Sequence, residues 1–171
     1  MSLAGRLMIR TEDVRDPASI HAVNEVAFAR RDEADLIDRL RDEGAVLESD
    51  VAELDAWVIG HILFSRLWID TAGGAVAAVA LAPMAVAPAQ QRLGVGGRLI
   101  HYGLDRLRER GEQAVIVLGD KDYYPRFGFS SERARALTHP FPPEALMALE
   151  LTPGALDDVR GTLRYANAFG L

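Results

Sequence analysis

At 171 residues the chain is long enough for one domain with a buried core and short for two independent ones. Hydrophobic residues make up 49% and charged residues 26%, a globular balance that excludes general disorder, collagen and coiled coil. With 19 basic and 25 acidic side chains the net charge is −6, so no global positive field draws the chain to nucleic acid.

No cysteine occurs, which removes disulfides, thiolate metal sites and cysteine nucleophiles together. The stretch from Met1 to Leu7 has no basic-then-apolar leader pattern. The longest uncharged run lies between Asp70 and Arg92; rich in Ala and Gly and broken by Pro83 and Pro88, it is a poor membrane span. The expectation is a cytoplasmic single domain covering residues 1–171, with neither nucleic acid nor membrane as partner.

In chain order, Leu7 and Ile9 suggest a short strand, and Asp16-Pro17 offers an N-cap followed by a proline suited to the first helical turn. Ile20, Val23, Ala27 and Phe28 then recur at helical spacing. A second helix is predicted from Asp32 to Glu43, with Leu36, Ile37 and Leu40 on one face, acids paired with Arg39 and Arg41, and Gly44 as its stop. The period then changes to two: Val46-Leu47, residues 51–54 and residues 57–64 read as strands, with Asp55-Ala56 a tight turn. After a turn at Gly73-Gly74, an apolar strand covers residues 76–86 and breaks at Pro83, as a strand that parts from its neighbour would.

The strongest helical pattern covers residues 95–110, with Val95, Leu99, Ile100, Leu104 and Leu107 inward, and Gly111 ends it. Residues 114–118 form a continuous apolar run of the buried-strand kind. A single helical turn is predicted at residues 123–126 and a strand at Phe127-Gly128-Phe129. A proline-rich connection over residues 138–143 leads to two further extended pieces, residues 146–151 and 162–165. Trp57 and Trp68 read as core or rim. His21, His61, His101 and His139 have no spacing that builds a metal site, so no metal is expected.

The chemistry concentrates at Gln91-Arg92-Leu93-Gly94-Val95-Gly96-Gly97, between a strand end and the best helix. Glycines allow a ligand to approach the backbone, and the first helical turn presents unpaired N–H groups at its positive end. That combination suits a diphosphate, with Arg92 or Arg98 adding charge. The Walker pattern fails because no Lys-Ser or Lys-Thr follows, and G-x-G-x-x-G fails because Leu99 stands where its third glycine belongs.

Residues 91–96 match the Q/R-x-x-G-x-G/A signature, and Tyr123-Tyr124-Pro125-Arg126-Phe127-Gly128-Phe129 resembles the tyrosine-then-Gly-Phe segment, of the GNAT superfamily of N-acetyltransferases. The order of elements from Leu7 to Phe129 is similar to that family as well. The resemblance implies an α+β fold: a mixed, mostly antiparallel central sheet, flanked by helices, with a splayed parallel pair at the cofactor site. It implies acetyl-CoA as co-substrate and direct transfer of the acetyl group to a primary amine of a small molecule or peptide. Met84, Ala85 and Val86 would offer backbone groups to the pantetheine arm and thioester. Arg92, Leu93, Gly94, Val95, Gly96 and Gly97 would wrap the diphosphate, with Gln91 shaping the loop.

Tyr124 matches the position of the proton donor to the departing thiolate, although Tyr123 beside it leaves open which ring faces the thioester. Glu33 is the leading carboxylate for base catalysis, with Glu25, Asp120 and Asp122 as further candidates. Many relatives have an asparagine before the tyrosine turn; residues 118–122 lack one here, and backbone groups of Gly119 to Asp122 stand in its place. Glu25, Glu33 and Asp70 suggest an acidic mouth favouring a cationic amine. The chain beyond Thr138 resembles the C-terminal extension of a bacterial subgroup, whose apolar strands offer a homodimer edge. Two other readings stand beside the enzyme: a non-catalytic acyl-CoA-binding regulatory or partner-binding module, and a nucleotide-binding protein.

Overall fold

The computed structural model describes residues 5–171; the leader reading of residues 1–4 lies outside them. In chain order the elements are β1 (Leu7–Thr11), α1 (Pro17–Phe28), α2 (Asp32–Asp42), β2 (Val46–Leu54), β3 (Trp57–Thr71), β4 (Gly74–Val86), α3 (Val95–Glu109), β5 (Ala114–Leu118), β6 (Leu137–Thr138), β7 (Leu146–Glu150) and β8 (Gly161–Tyr165). Short 3₁₀ turns occupy Pro88–Gln90, Tyr124–Phe127 and Asn167–Phe169. No helix among the described residues is long and apolar enough to cross a membrane.

Local chemistry accounts for the helix ends. The stops of α2 and α3 are both Schellman motifs: Gly44 and Gly111 adopt φ of +71° and +79°, and paired amides close back onto the last turns (Ala45 N–H to Leu40 O and Glu112 N–H to Leu107 O, both 3.0 Å). Pro17 opens α1, but Asp16 does not cap it with its side chain. Its carboxylate is taken by Arg10 at 2.6 and 3.0 Å and by the Asp13 N–H at 2.7 Å. Arg41 likewise reaches Glu12 of the first loop, and Arg39 reaches Ala168 O, rather than pairing along α2.

All eight strands join one sheet, along the path β1-β2-β3-β4-β5-β7, with β8 pairing β3 and β6 pairing β8. Contacts along the path are antiparallel except β4–β5, which is parallel and runs only from Val79↔Val115 to Leu81↔Val117. Beyond Leu81 the two strands separate. A bulge opposite Ile62–Phe64 lies at the same point, where β4 contains Ala82-Pro83, and proline has no N–H for a ladder. Leu81 and Met84 thereby both pack toward α3.

One face of the sheet packs α3 over Ile62, Phe64, Val79, Leu81, Val115 and Val117. The opposite face carries Ala80, Ile116 and Ala148 under the C-terminal segment, and Val51 and Leu63 under α1 and α2. The extension is part of this architecture: β8 continues the β2 side of β3, from Leu67↔Tyr165 to Thr71↔Gly161, while β7 covers β5. Of the two extended pieces proposed as a dimer edge, β8 is paired with β3 and β6 within the chain, while β7 pairs β5 and stands last on the sheet's path. The strand predicted at Phe127-Gly128-Phe129 does not form: Gly128 turns the backbone at φ +95°, and only Ser130 bridges to Ala148. Trp57, expected in core or rim, is 77% exposed at the β2–β3 turn.

Polar residues inside β2 split it in the sequence pattern, yet Glu48, Ser49 and Asp50 are all buried in one continuous strand. On the α1 side, Ser49 Oγ lies 2.8 Å from His61 Nε2, and Asn24 Nδ2 donates to His61 Nδ1 at 3.1 Å. Burial holds His61 down to about 3, so it is a neutral structural histidine. On the α3 side, Glu48 accepts from Thr11 at 3.0 Å and pairs with Arg110 at 2.7 Å. Asp50 beside it is fully buried, and neither of its oxygens has a protein hydrogen-bond partner among the described residues.

Burial, reinforced by Glu48, pushes the Asp50 carboxyl up to about 9. An unfolded Asp loses its proton near pH 4, so across the window from there to about pH 9 the native state holds a proton that the unfolded chain has released. Stability therefore falls as pH rises through that window. Asp50→Asn, neutral in both states, is expected to flatten this dependence, so that it gains stability on the parent between about pH 5 and about pH 8. Urea unfolding of both proteins at about pH 5 and about pH 8 reads the difference directly.

Candidate active site

The separation of β4 from β5 and the start of α3 open onto a single cavity of about 590 Å³. Met84 and Val86 form one wall, Gln91, Arg92, Gly94 and Gly96 the loop wall, and Tyr123, Arg126 and Phe127 the facing wall. The sequence reaches this geometry through strand alternation. Ala87 N–H donates to Ile59 O in β3 at 2.8 Å, so the backbone groups of Met84 and Val86 point to the other edge. There, Val86 O accepts from Gln91 Nε2 at 3.0 Å, the loop-shaping contact anticipated for that glutamine. Ala85 is buried in register with His61; its backbone faces β3 and not the cavity.

The loop reverses through two left-handed residues, Arg92 at φ +62° and Gly94 at φ +82°. The first helical bond of α3 is Arg98 N–H to Gly94 O at 3.2 Å, which leaves the amides of residues 94–97 without helical partners. Gly96 is bare where it must be: a Cβ there would stand 2.8 Å from the Tyr123 hydroxyl. Two guanidiniums, Arg92 and Arg126, and no carboxylate line the cavity. This donor set of free amides, helix-dipole positive end and two cations fits a diphosphate on an extended, amide-bearing ligand.

Arg126 and Phe127 were missed as site residues because the sequence reading placed Arg126 only in a helical turn and Phe127 only at the start of a strand. Their nearness to the glycines was already implied by the motif order. Arg98, an alternative phosphate partner, is exposed and outside the lining; Leu93, half-buried, is outside it as well.

Of the two tyrosines, Tyr123 lines the cavity, with Arg126 stacked over its ring at 5.4 Å. Tyr124 stands edge-on behind it at 5.1 Å, its ring against Gly119, the residue that follows β5. Burial, aided by Tyr123 and Asp120, pushes the Tyr124 phenol up to about 12. Asp120 caps this turn, accepting the Asp122 N–H at 2.7 Å.

The structure does not bring Glu33 to the cavity. Its carboxylate is gripped by Arg30, which holds it below the usual carboxylate range, the opposite of what a general base needs. The acidic mouth also dissolves into separate pairs: Asp70 with Arg164 at 2.8 Å, Glu25 with His21 at 3.7 Å. His21 further approaches Asp35 and Asp38 at 3.5 and 3.8 Å, a cross-helix grouping with ligand atoms within 4.8 Å of one another. No local spacing could announce that grouping.

A mixed sheet split beside a glycine-rich helix start, with this cavity in the split, defines a protein of the acetyltransferase class. The chain belongs to the Acetyltransferase (GNAT) family, whose family model matches residues 10–129. It is 34% identical over 166 residues to the uncharacterized N-acetyltransferase YhbS of Escherichia coli K12, covering 95% of this chain and 98% of that protein. It is 39% identical over 137 residues to the uncharacterized N-acetyltransferase YjhQ of the same organism, covering 77% and 76%. The crystal structure of YhbS in complex with CoA superposes with a TM-score of 0.90 at 33% identity, covering 100% of this chain and 96% of that one. A GNAT family acetyltransferase from Brucella melitensis in complex with acetyl-CoA gives 0.81 at 35% identity, covering 96% and 99%.

Proposed function

We propose that the chain is an acetyl-CoA-dependent N-acetyltransferase moving the acetyl group to a primary amine of a small molecule or peptide. The observation that carries this reading is one cavity in which the free edge of β4 meets the unpaired amides of α3. The CoA in YhbS and the acetyl-CoA in the Brucella protein support the same ligand here. Bound acetyl-CoA supplies an activated acyl carbon and a thiolate leaving group.

Each residue's task follows from its place. The amides of residues 94–97, with Arg92 and Arg126, bind the diphosphate. Met84 and Val86 pair their edge groups with the amide-bearing arm, and a backbone N–H near Val86 donates to the acyl oxygen as negative charge develops there. Tyr124 holds its proton through neutral pH and delivers it to the departing sulfur. An alkylamine with a pKa near 10 must lose a proton before it attacks; no carboxylate lines the cavity, so that proton passes to water.

Gly96→Ala tests the reading. Its methyl intrudes on the diphosphate wall beside Tyr123, while alanine raises helix propensity by about 0.5–1 kcal/mol. Free-thiol release with an amine panel is expected to show KM for acetyl-CoA raised about tenfold, equivalent to about 1.4 kcal/mol, at unchanged or higher thermal stability. Amine-independent thiol release, or equal KM in both proteins, would refute it.

A further inference from the structure

On the face of the sheet away from α3, a second, smaller cavity of about 160 Å³ opens at the same strand separation. Its floor is Ala82 of β4 with Ile116 and Leu118 of β5, and Phe141, Tyr165 and Phe169 of the C-terminal segment close it over. The last β4–β5 pair is Leu81↔Val117, so Ala82 and Leu118 are the first residues past the point where the strands part. Met84 and Val86, a few residues on, line the donor cavity. The two cavities therefore flank one gap, from opposite sides.

The lining of the smaller cavity carries no charged side chain. Tyr165 meets Phe141 and Phe169 edge-on, at 6.0 and 5.2 Å, a geometry aromatic rings favour and a further ring can join. Leu118 is 45% exposed at its rim, as exposed apolar surface beside Leu171. An apolar cavity of about 150 Å³ engineered in another protein stays dry and admits benzene, so this one has room for a single ring.

We infer that this cavity seats the apolar part of the acceptor, a primary amine carrying one aromatic ring or a branched aliphatic group of similar size. The inference rests on the acetyl-transfer reading and deepens it. With its ring between Ala82 and the three aromatic side chains, the amine nitrogen projects through the gap toward the acyl carbon. Nitrogen forms the new bond to that carbon, the carbon–sulfur bond breaks, and sulfur leaves with the proton from Tyr124. Recognition is by fit and burial; among the described residues no charged side chain lines the cavity, and Glu33 and Asp70 are paired with Arg30 and Arg164.

The experiment is thiol release at saturating acetyl-CoA with 2-phenylethylamine, 3-methylbutylamine, ethanolamine and 1,4-diaminobutane, with calorimetric titration of acetyl-CoA alongside. The two apolar amines are expected to exceed the two polar ones in kcat/KM by about tenfold or more. Ala82→Leu, which fills the floor, is expected to cost 2-phenylethylamine about tenfold, through KM, with acetyl-CoA affinity unchanged. Phe169→Ala, at a half-buried position, is expected to shift preference toward a two-ring amine, and it decides the matter should Ala82→Leu not fold.

Equal or better turnover of the polar amines, no amine turnover despite acetyl-CoA binding, or indifference of folded variants overturns the inference and leaves donor binding intact. A preference of the cavity variants for or against branched acyl-CoA donors in place of amines also overturns it, assigning the cavity to the donor. Failure of acetyl-CoA to bind at all removes the acetyl-transfer reading itself.

Discussion

Tyr124→Phe is expected to lower kcat by about a hundredfold or more while changing KM for acetyl-CoA less than about twofold. The phenol ring lies against Gly119 at the end of β5, where the strands part, and burial pushes the hydroxyl up to about 12. It therefore keeps its proton until sulfur takes it. Phenylalanine preserves the edge-on packing against Tyr123 and Phe129, at 5.1 and 5.7 Å, so the loss falls on chemistry and not on the fold. Tyr123→Phe should instead act on acetyl-CoA binding, because its ring lines the cavity. Steady-state kinetics of the two variants separate the roles. Equal kcat for Tyr124→Phe and the parent would remove Tyr124 as the proton donor, whereas acetyl-CoA binding with no turnover by the parent itself would favour a module that binds an acyl-CoA without turning it over.

The second large effect concerns stability. Gly103→Ala, on the inward face of α3, is expected to destabilise the chain by about 2 kcal/mol. A Cβ there would stand 2.3 and 2.7 Å from the Phe64 ring and 3.2 Å from Asp50 Oδ2, and Phe64 is fully buried in β3 with no room to swing. Overpacking of about 3 kcal/mol outweighs the roughly 1 kcal/mol gained in helix propensity. The urea midpoint should drop with the m-value unchanged. Gly96, in the first turn of the same helix, behaves oppositely, because the atom its Cβ would meet, the Tyr123 hydroxyl at 2.8 Å, is the far end of a side chain lining the cavity and can shift into it. The two glycines thus divide between packing and binding, a distinction invisible in their sequence context.

What the sequence conveyed best was local. Glycine stops, the amphipathic pattern of α3 and the interruption at Pro83 each depend on a few neighbouring residues, and Gly44, Gly111 and the β4 break stand where those signals placed them. Signals failed where distant partners decide. Glu48 and Asp50 read as a break in a strand because the partners of Glu48, Thr11 of β1 and Arg106 and Arg110 at the end of α3, and the packing of Asp50 under Gly103 come from distant segments. Glu33 looked like a free acid until Arg30 was seen to clamp it. The aromatic cavity gathers Phe141, Tyr165 and Phe169 from segments with no repeating pattern, through the pairing of β8 with β3. Half of the candidate cavity's lining, the glycine loop and strand edge, was legible; its facing wall and the second, aromatic cavity arise from tertiary contacts.

Amide hydrogen exchange with and without acetyl-CoA tests most directly whether backbone N–H groups of the loop hold the donor. Slower exchange confined to residues 92–98 and to Met84 and Val86 is the predicted result. Protection elsewhere on the surface, or none at all at saturating ligand, would contradict it.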